Sequence, residues 1–381
     1  MFLSLVYSIV GIYVVHLLAV AWGVLRVRRE PTPDVPTTWP MVSVVIAARN
    51  EEATIEDCIT SVLACDYPED RLEVIVVDDF STDRTAACVR TLQPVPAGGA
   101  DDDASSPVRL IKMADVMPDN GGHKPEAVAQ GVQAASGTVI LTTDADCTVE
   151  SGWLRSMVRR CTPKTPFVAG PVQYDVSYRW FDRLQALEFA GLIAYGAGTI
   201  GMGWPTFCNS ANVAVRRDVI DHLNAVPDGA ARDEMLLQHV AYGTDRDVAF
   251  NPDPAALVHT TPAPDVPTYV QQQARWASMG TRYPYTLPKA FVLLLWLAHA
   301  VLLLGAVAAL ALPSWQQPVL GTFLAKFAAD AVLTMPMAKH LKQGDLLRSS
   351  VATELLLLWA VPLVGLLGTY APTEWKGRSI G

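Results

Sequence analysis

Apolar positions follow two kinds of rhythm along this chain. Residues 2–24 are apolar throughout, about long enough to cross a bilayer, and Arg26, Arg28 and Arg29 follow at once. A cleaved leader carries its positive charge ahead of the apolar run. This stretch is therefore expected to be an uncleaved anchor, amino end outside, the next residues cytoplasmic. From Met41 to about Leu257 short β-rich runs alternate with stretches of helical period, as an α/β sheet requires. Long apolar runs then return at about 290–312, 319–337 and 351–369, and predict two or three further spans.

Within the alternating region, strands are expected at 42–48, 72–77, 108–111 and 138–143. The first leads into Arg49, Asn50, Glu51 and Glu52, then a helix carrying Ile55, Ile59, Val62 and Leu63. The second ends in Asp78, Asp79, Phe80, Ser81, Thr82 and Asp83. The third precedes Gly121, Gly122, His123 and Lys124 and a helix through Ala135. The fourth delivers Asp144, Ala145 and Asp146. Three strands thus end in polar or acidic residues on one sheet edge, where open α/β sheets bind ligands. Side chains alternate along a strand, so Asp144 and Asp146 share a side if the extended geometry continues. Two hard oxygen ligands there suit Mg2+ or Mn2+ holding substrate phosphates. Asp-x-Asp alone is also common in solvated turns. No Gly-x-Gly-x-x-Gly marks a dinucleotide site.

Composition narrows the reading. With 381 residues, 51% of them hydrophobic, the chain has room for one sizeable domain plus membrane segments. A net charge of −9 and no basic stripe argue against a nucleic-acid partner. The six cysteines form no Cys-x-x-Cys pair and read as reduced and mostly buried. Cys147 adjoins the carboxylates but has no His nearby in sequence to make it a nucleophile. The Pro-rich stretch 31–40 reads as a linker, and the loop 94–107, with acidic residues 101–103, as a solvated insertion. Lys339, His340, Lys342 and Arg348 mark the cytoplasmic side again. Lys326 and Asp330 share a helix face inside the third span, as a functional pair or a mutually neutralising structural one. Simple counting sends Trp375, Lys376 and Arg378 outside, against the positive-inside rule. Pro362 leaves open whether the last segment re-enters instead of crossing.

Residues 44–52, 76–83 and 143–146 resemble, in order and spacing, the inverting family-2 glycosyltransferases of GT-A fold. The resemblance continues in three places downstream. Phe167 to Val172 looks like the strand after the metal site. Cys208, Asn209, Ser210, Ala211 and Asn212 resemble the acceptor-side segment, usually written with Gly where Ser210 stands. Arg232, Asp233 and Glu234 resemble the acidic motif that opens a helix and supplies the base, although relatives often have an acid at position 232. Gln272, Gln273, Ala274, Arg275 and Trp276 match the Gln-x-x-Arg-Trp motif of the membrane-bound branch, which includes ceramide glucosyltransferases and polysaccharide synthases.

The resemblance implies a GT-A mixed sheet flanked by helices over residues 41–265. Around it lie an anchor at 1–29, a linker at 30–40, an interfacial helix at 266–289 and a membrane region at 290–381. It implies Asp233 as the base, with Glu234 the fallback; an acidic helix cap is the bland alternative. Ala48, Glu51, Asp78, Asp79, Lys124, Asp144 and Arg275 fall to the nucleotide donor, Asp79 holding the nucleobase. Asp144 and Asp146 fall to Mg2+ or Mn2+. Asn209, Asn212, Gln272 and Trp276 fall to the acceptor side. His259 is a third-ligand candidate, better read as a hydrogen-bonded structural histidine. The expected activity is transfer from a UDP-sugar to a lipid or lipid-linked acceptor at the cytoplasmic leaflet of a membrane. A processive polysaccharide synthase is the alternative, because three or four helices are few for a polymer channel, and a catalytically silent scaffold is the second. A homo-oligomer is left open.

Overall fold

A computed structural model describes residues 2–93, 106–117, 124–223, 233–371, 373–375 and 378–380. The acidic triplet 101–103, residues 121–123, Arg232, Lys376 and Gly377 lie outside the described residues. The chain divides into two compact units. One comprises 31–172 and 208–261; the other comprises 1–30, 173–207 and 262–381.

The first unit is built on a seven-stranded sheet. Its strands, with the short ones beside them, are β1 (Val42–Ala48), β2 (Leu72–Asp78), β3 (Val108–Lys112), β4 (Val139–Asp144), β5 (Thr148–Val149), β6 (Phe167–Ala169), β7 (Val172–Tyr174), β8 (Val213–Arg216), β9 (Val248–Phe250) and β10 (Val258–Thr260). The order is β3-β2-β1-β4-β8-β6-β9. β1 runs parallel to β2 and β4, and β2 to β3, whereas β8 is antiparallel to both β4 and β6. Every residue of β1 is buried, as befits a central strand covered on both faces. This is the GT-A arrangement, with the β1, β2 and β4 C-termini on one edge.

The stretch 31–40 is fastened to this unit instead of hanging free. Arg159 donates to the Pro33 carbonyl, the Arg155 guanidinium lies 5.1 Å from the Trp39 ring centre, and the Tyr67 hydroxyl donates to Pro40 O at 2.7 Å.

In the second unit four helices are long and apolar enough to cross a membrane: Phe2–Arg29, Thr286–Ala311, Pro313–His340 and Gly344–Tyr370. The helix Trp180–Gly201 belongs here too, although the sequence pattern placed it inside one unbroken domain from 41 to 265. Sixteen of its 22 residues are buried, so it cannot be a solvated surface helix. It meets the first helix backbone to backbone. A Cβ on Gly23 would stand 2.0 Å from Gly198 O, and one on Gly198 would stand 2.3 Å from Val20 O. The segment around Pro362 is continuous helix from Ser350 to Tyr370, so no re-entrant break occurs there. The Pro362 carbonyl still accepts a bond, from Trp296 Nε1 at 3.2 Å.

Lys326 is not half of a simple pair. Its ammonium lies 2.9 Å from Asp330 and 2.5 Å from Glu354, and the Tyr13 hydroxyl donates to Asp330 at 2.5 Å. Three of the four apolar helices therefore meet at one charged cluster, where Lys326 is 1% exposed.

Candidate functional site

The strand register lines up the candidate residues. Ala48 is the β1 partner of Asp78, and Ala47 is the partner of Asp144. Three strand ends thus present Ala48, Asp78 and Asp144 side by side. The strand β4 stops at Asp144, and a tight turn closed by Cys147 N–H to Asp144 O (3.1 Å) carries Ala145 and Asp146. The extended geometry does not continue, so the turn and not strand alternation sets the direction of Asp146. Asp146 is exposed and Asp144 half-buried.

Beyond β1 and β2 the two loops interlock. Asn50 and Phe80 both take positive φ, 53° and 54°, a conformation that costs non-glycine residues about 1–3 kcal/mol and collects at functional sites. Cross-bonds hold it. Asn50 N–H donates to Ser81 Oγ (3.0 Å), Thr82 N–H to Asn50 Oδ1 (2.8 Å), and Glu51 N–H to Thr85 Oγ1 (2.7 Å). Arg49, 8% exposed, donates to Asp79 O at 2.7 Å and to Phe80 O at 3.3 Å. Sequence reasoning quoted Arg49 without giving it a role; it ties the two loops. Asp78 accepts from Ser81 N–H at 3.2 Å. Asp79 has no exposed surface, so in this conformation its carboxylate is not open to a nucleobase.

Lys124 opens the helix Lys124–Ala134 and reaches Asp144 Oδ1 at 2.5 Å and Ser210 Oγ at 3.4 Å. Ser210 O in turn accepts from Thr142 Oγ1 at 2.8 Å. The segment around Asn209 is therefore attached to the carboxylate strand through Ser210. Asn209 shapes the turn, its Oδ1 accepting from Ala211 N–H at 2.9 Å.

Asn212 differs from its expected place. It has no exposed surface, and its amide is spent on the interior. Trp153 Nε1 donates to its Oδ1 at 2.9 Å, and its Nδ2 donates to Pro171 O (2.8 Å) and Ala256 O (2.7 Å). It is an internal strut, and it cannot touch an acceptor here.

Asp233 is the first residue of the helix Asp233–Gly243, and its side chain lies outside the described residues. Glu234 beside it is partly exposed. His259 bonds Glu150 Oε1 at 3.2 Å. Burial, then the nearby Asp144 and Asp146, push the Cys147 thiol well above its ordinary range. Burial does the same to Cys58. Both stay thiols, which removes them as nucleophiles.

Among the described residues no group of three or more His, Cys, Asp and Glu could hold a metal by itself. The donor set still fits a hard cation. Asp144 and Asp146 supply two carboxylates at an open edge, and a Mg2+ or Mn2+ ion commonly takes its other ligands from phosphate and water.

In the other unit Gln272, Arg275 and Trp276 lie on the helix Val266–Gly280, capped by Asp265 accepting from Thr268 N–H at 2.9 Å. Gln272 Oε1 accepts from the Tyr174 hydroxyl at 3.4 Å. Trp276 stacks on Phe189 (6.1 Å between centres), and Phe189 on Tyr174 (4.3 Å). Gln272 and Trp276, one turn apart, thus face a common aromatic column.

Comparison with known proteins agrees with this geometry. The family model "Glycosyl transferase family 2" matches residues 43–223, and "Glycosyl transferase family group 2" matches 139–370. A probable glycosyltransferase, YdaM of Bacillus subtilis, is 29% identical over 252 residues, 64% of this chain and 56% of that protein. The beta-monoglucosyldiacylglycerol synthase of Synechocystis is 32% identical over 142 residues, 37% of this chain and 26% of that protein. The matches thus span about half of the first relative's length and about a quarter of the second's. Among solved structures, the mannosyltransferase PcManGT of Pyrobaculum calidifontis, in complex with GDP-Man and Mn2+, shares the fold. Its TM-score is 0.57 at 22% identity, covering 93% of this chain and 99% of that one. The family group 2 model covers well over half of the chain, and the chain belongs to glycosyl transferase family group 2.

Proposed function

We propose that the chain is a membrane-seated inverting glycosyltransferase, moving a sugar from a nucleoside-diphosphate donor to a lipid or lipid-linked acceptor at the cytoplasmic leaflet. The donor is a UDP-sugar by the resemblance stated above. The observation that carries the reading is the register that sets Ala48, Asp78 and Asp144 on one edge, next to the exposed Asp146. The four apolar helices support a membrane seat, and the basic residues after the first and third support a cytoplasmic catalytic unit.

The reaction is one in-line displacement. The acceptor oxygen bonds to the anomeric carbon as the bond from that carbon to the diphosphate oxygen breaks. Asp233, or Glu234 beside it, takes the acceptor hydroxyl proton. Asp144 and Asp146 would hold a Mg2+ or Mn2+ ion, whose chemistry is to neutralise charge growing on the departing diphosphate. Lys124, already on Asp144, can follow that charge toward a phosphate oxygen. Asp79 would receive the nucleobase once the interlocked loops over it part. Gln272, Arg275 and Trp276 keep the donor and acceptor roles their motif implies.

The test is nucleotide release and product formation by the full chain in lipid nanodiscs. UDP- and GDP-sugars are supplied with lipid extract, with and without chelator. Asp146→Ala and Asp233→Asn should each lower transfer by about 100-fold or more. Only Asp146→Ala should weaken metal-dependent nucleotide binding, and chelator should mimic it. Wild-type turnover in either variant overturns the assignment. Long glycan products without lipid overturn the lipid acceptor in favour of a polymer synthase, and no release from any donor favours a scaffold.

A further inference from the structure

We propose that Tyr178 and Trp180 form a rigid aromatic wedge that lies in the lipid headgroup layer and sets the depth at which the helical unit sits. The proposal rests on the reading that the four apolar helices cross a membrane.

Three observations carry it. The first is exposure. Tyr178 is 107% exposed and Trp180 70%, two large rings two residues apart that soluble surfaces seldom keep in water without a partner.

The second is that the turn is built to hold these rings outward. The Ser177 hydroxyl donates to the carboxylate of Asp182, which is 4% exposed, and the Arg179 N–H returns a bond to Ser177 Oγ at 3.1 Å. The Arg179 guanidinium donates to Pro264 O at 2.6 Å, tying the turn to the residues just before Val266. Beneath it Phe181 packs edge-on against Tyr269, 5.7 Å between centres. Tyr178 and Trp180 therefore stay in water in the isolated chain because the backbone beneath them is fixed, not because they have failed to find the core.

The third is depth. The segment is fastened on both sides of the wedge to the connector 341–349, which ends where the regular α-helix of the fourth apolar segment begins at Ser350. Gln343 Nε2 donates to Tyr174 O at 2.9 Å, and Arg183 donates to Asp345 O at 3.1 Å and to its carboxylate at 3.0 Å. That connector follows Lys339 and His340, at the end of the third helix. Arg28, in the basic last turn of the first helix, reaches Pro336 O at 3.5 Å, so both basic ends lie at one level. A turn bonded to the connector at that level sits at the boundary between hydrocarbon and water. There Trp and Tyr are favoured, because the ring is apolar while the hydroxyl or indole N–H keeps a polar partner.

The experiment places an environment-sensitive fluorophore on Tyr178→Cys in the full chain, in a Cys88→Ser background. The chain is reconstituted in phosphatidylcholine–phosphatidylglycerol vesicles carrying spin-labelled lipids quenching either near the headgroup or near the chain end. Leu304→Cys on an apolar helix and Glu69→Cys on the other unit are the references. The expected result is at least about twofold quenching at position 178 by the shallow label, little by the deep one, and a blue shift relative to position 69. Trp180→Cys should read the same, so poor folding of one variant does not remove the test. Water-like, unquenched emission at both 178 and 180 with quenching at 304 overturns the wedge and leaves the membrane reading standing. No quenching at 304 overturns both.

Discussion

Replacing Asn212 by alanine separates a structural amide from an acceptor-contacting one. The substitution strands two buried groups at once, the Trp153 indole N–H and the Ala256 carbonyl, while the Pro171 carbonyl keeps its bond from Val258 N–H at 3.1 Å. Asn212 and Trp153 have no exposed surface, so bulk water does not replace the lost bonds. A buried donor or acceptor left unmade costs about 1–3 kcal/mol, and two such groups with partial relaxation cost about 2–5 kcal/mol together. For a unit of roughly 200 residues, each kcal/mol lowers the melting temperature by about 2–4 °C, so a fall of roughly 4–20 °C is expected. The assay is thermal unfolding of the detergent-solubilised full chain by near-ultraviolet circular dichroism, with transfer measured well below the transition. Asn212→Ala should unfold early yet keep most of its specific activity when cool. Trp153→Phe, which strands only one acceptor, should fall less. An unchanged melting temperature with abolished transfer would refute the strut and return Asn212 to the acceptor.

Two further predictions follow from buried charge. Lys326→Met leaves Asp330 and Glu354 facing each other without their cation and should cost about 3–5 kcal/mol, whereas Lys326→Met with Asp330→Asn and Glu354→Gln should recover much of it. Thermal unfolding of the single and triple variants in detergent checks this, and equal melting temperatures would show that the cluster does not act as a unit. Burial pushes the Glu188 carboxyl up to about 7 from an ordinary 4.5, although the hydrogen bond from Tyr269 pulls the other way. The folded chain then holds the proton more tightly, so the contribution is full below pH 4.5 and drains away as pH rises through about 7. The swing is at most about 3 kcal/mol, and smaller in practice because Glu188 keeps some open surface. Glu188→Gln should flatten melting temperature against pH over that window; parallel curves for variant and wild type would contradict it.

Local pattern by itself determined a great deal here. Alternating β-rich and helical stretches specified an α/β sheet, and acidic residues after two strands marked one edge as the candidate site. Four apolar runs specified four long helices. Each is set by residues within a few turns of one another, where a side chain's periodic position decides its face. Only the tertiary structure decided the rest. It closed a turn under Asp146, leaving that side chain's direction to the turn, and put 173–207 with the helices. It turned Asn212 inward to Trp153, 59 positions away, and joined Tyr13 to Asp330 across 317. A buried polar group must find a partner wherever packing supplies one, and that partner's place in the chain leaves no local trace.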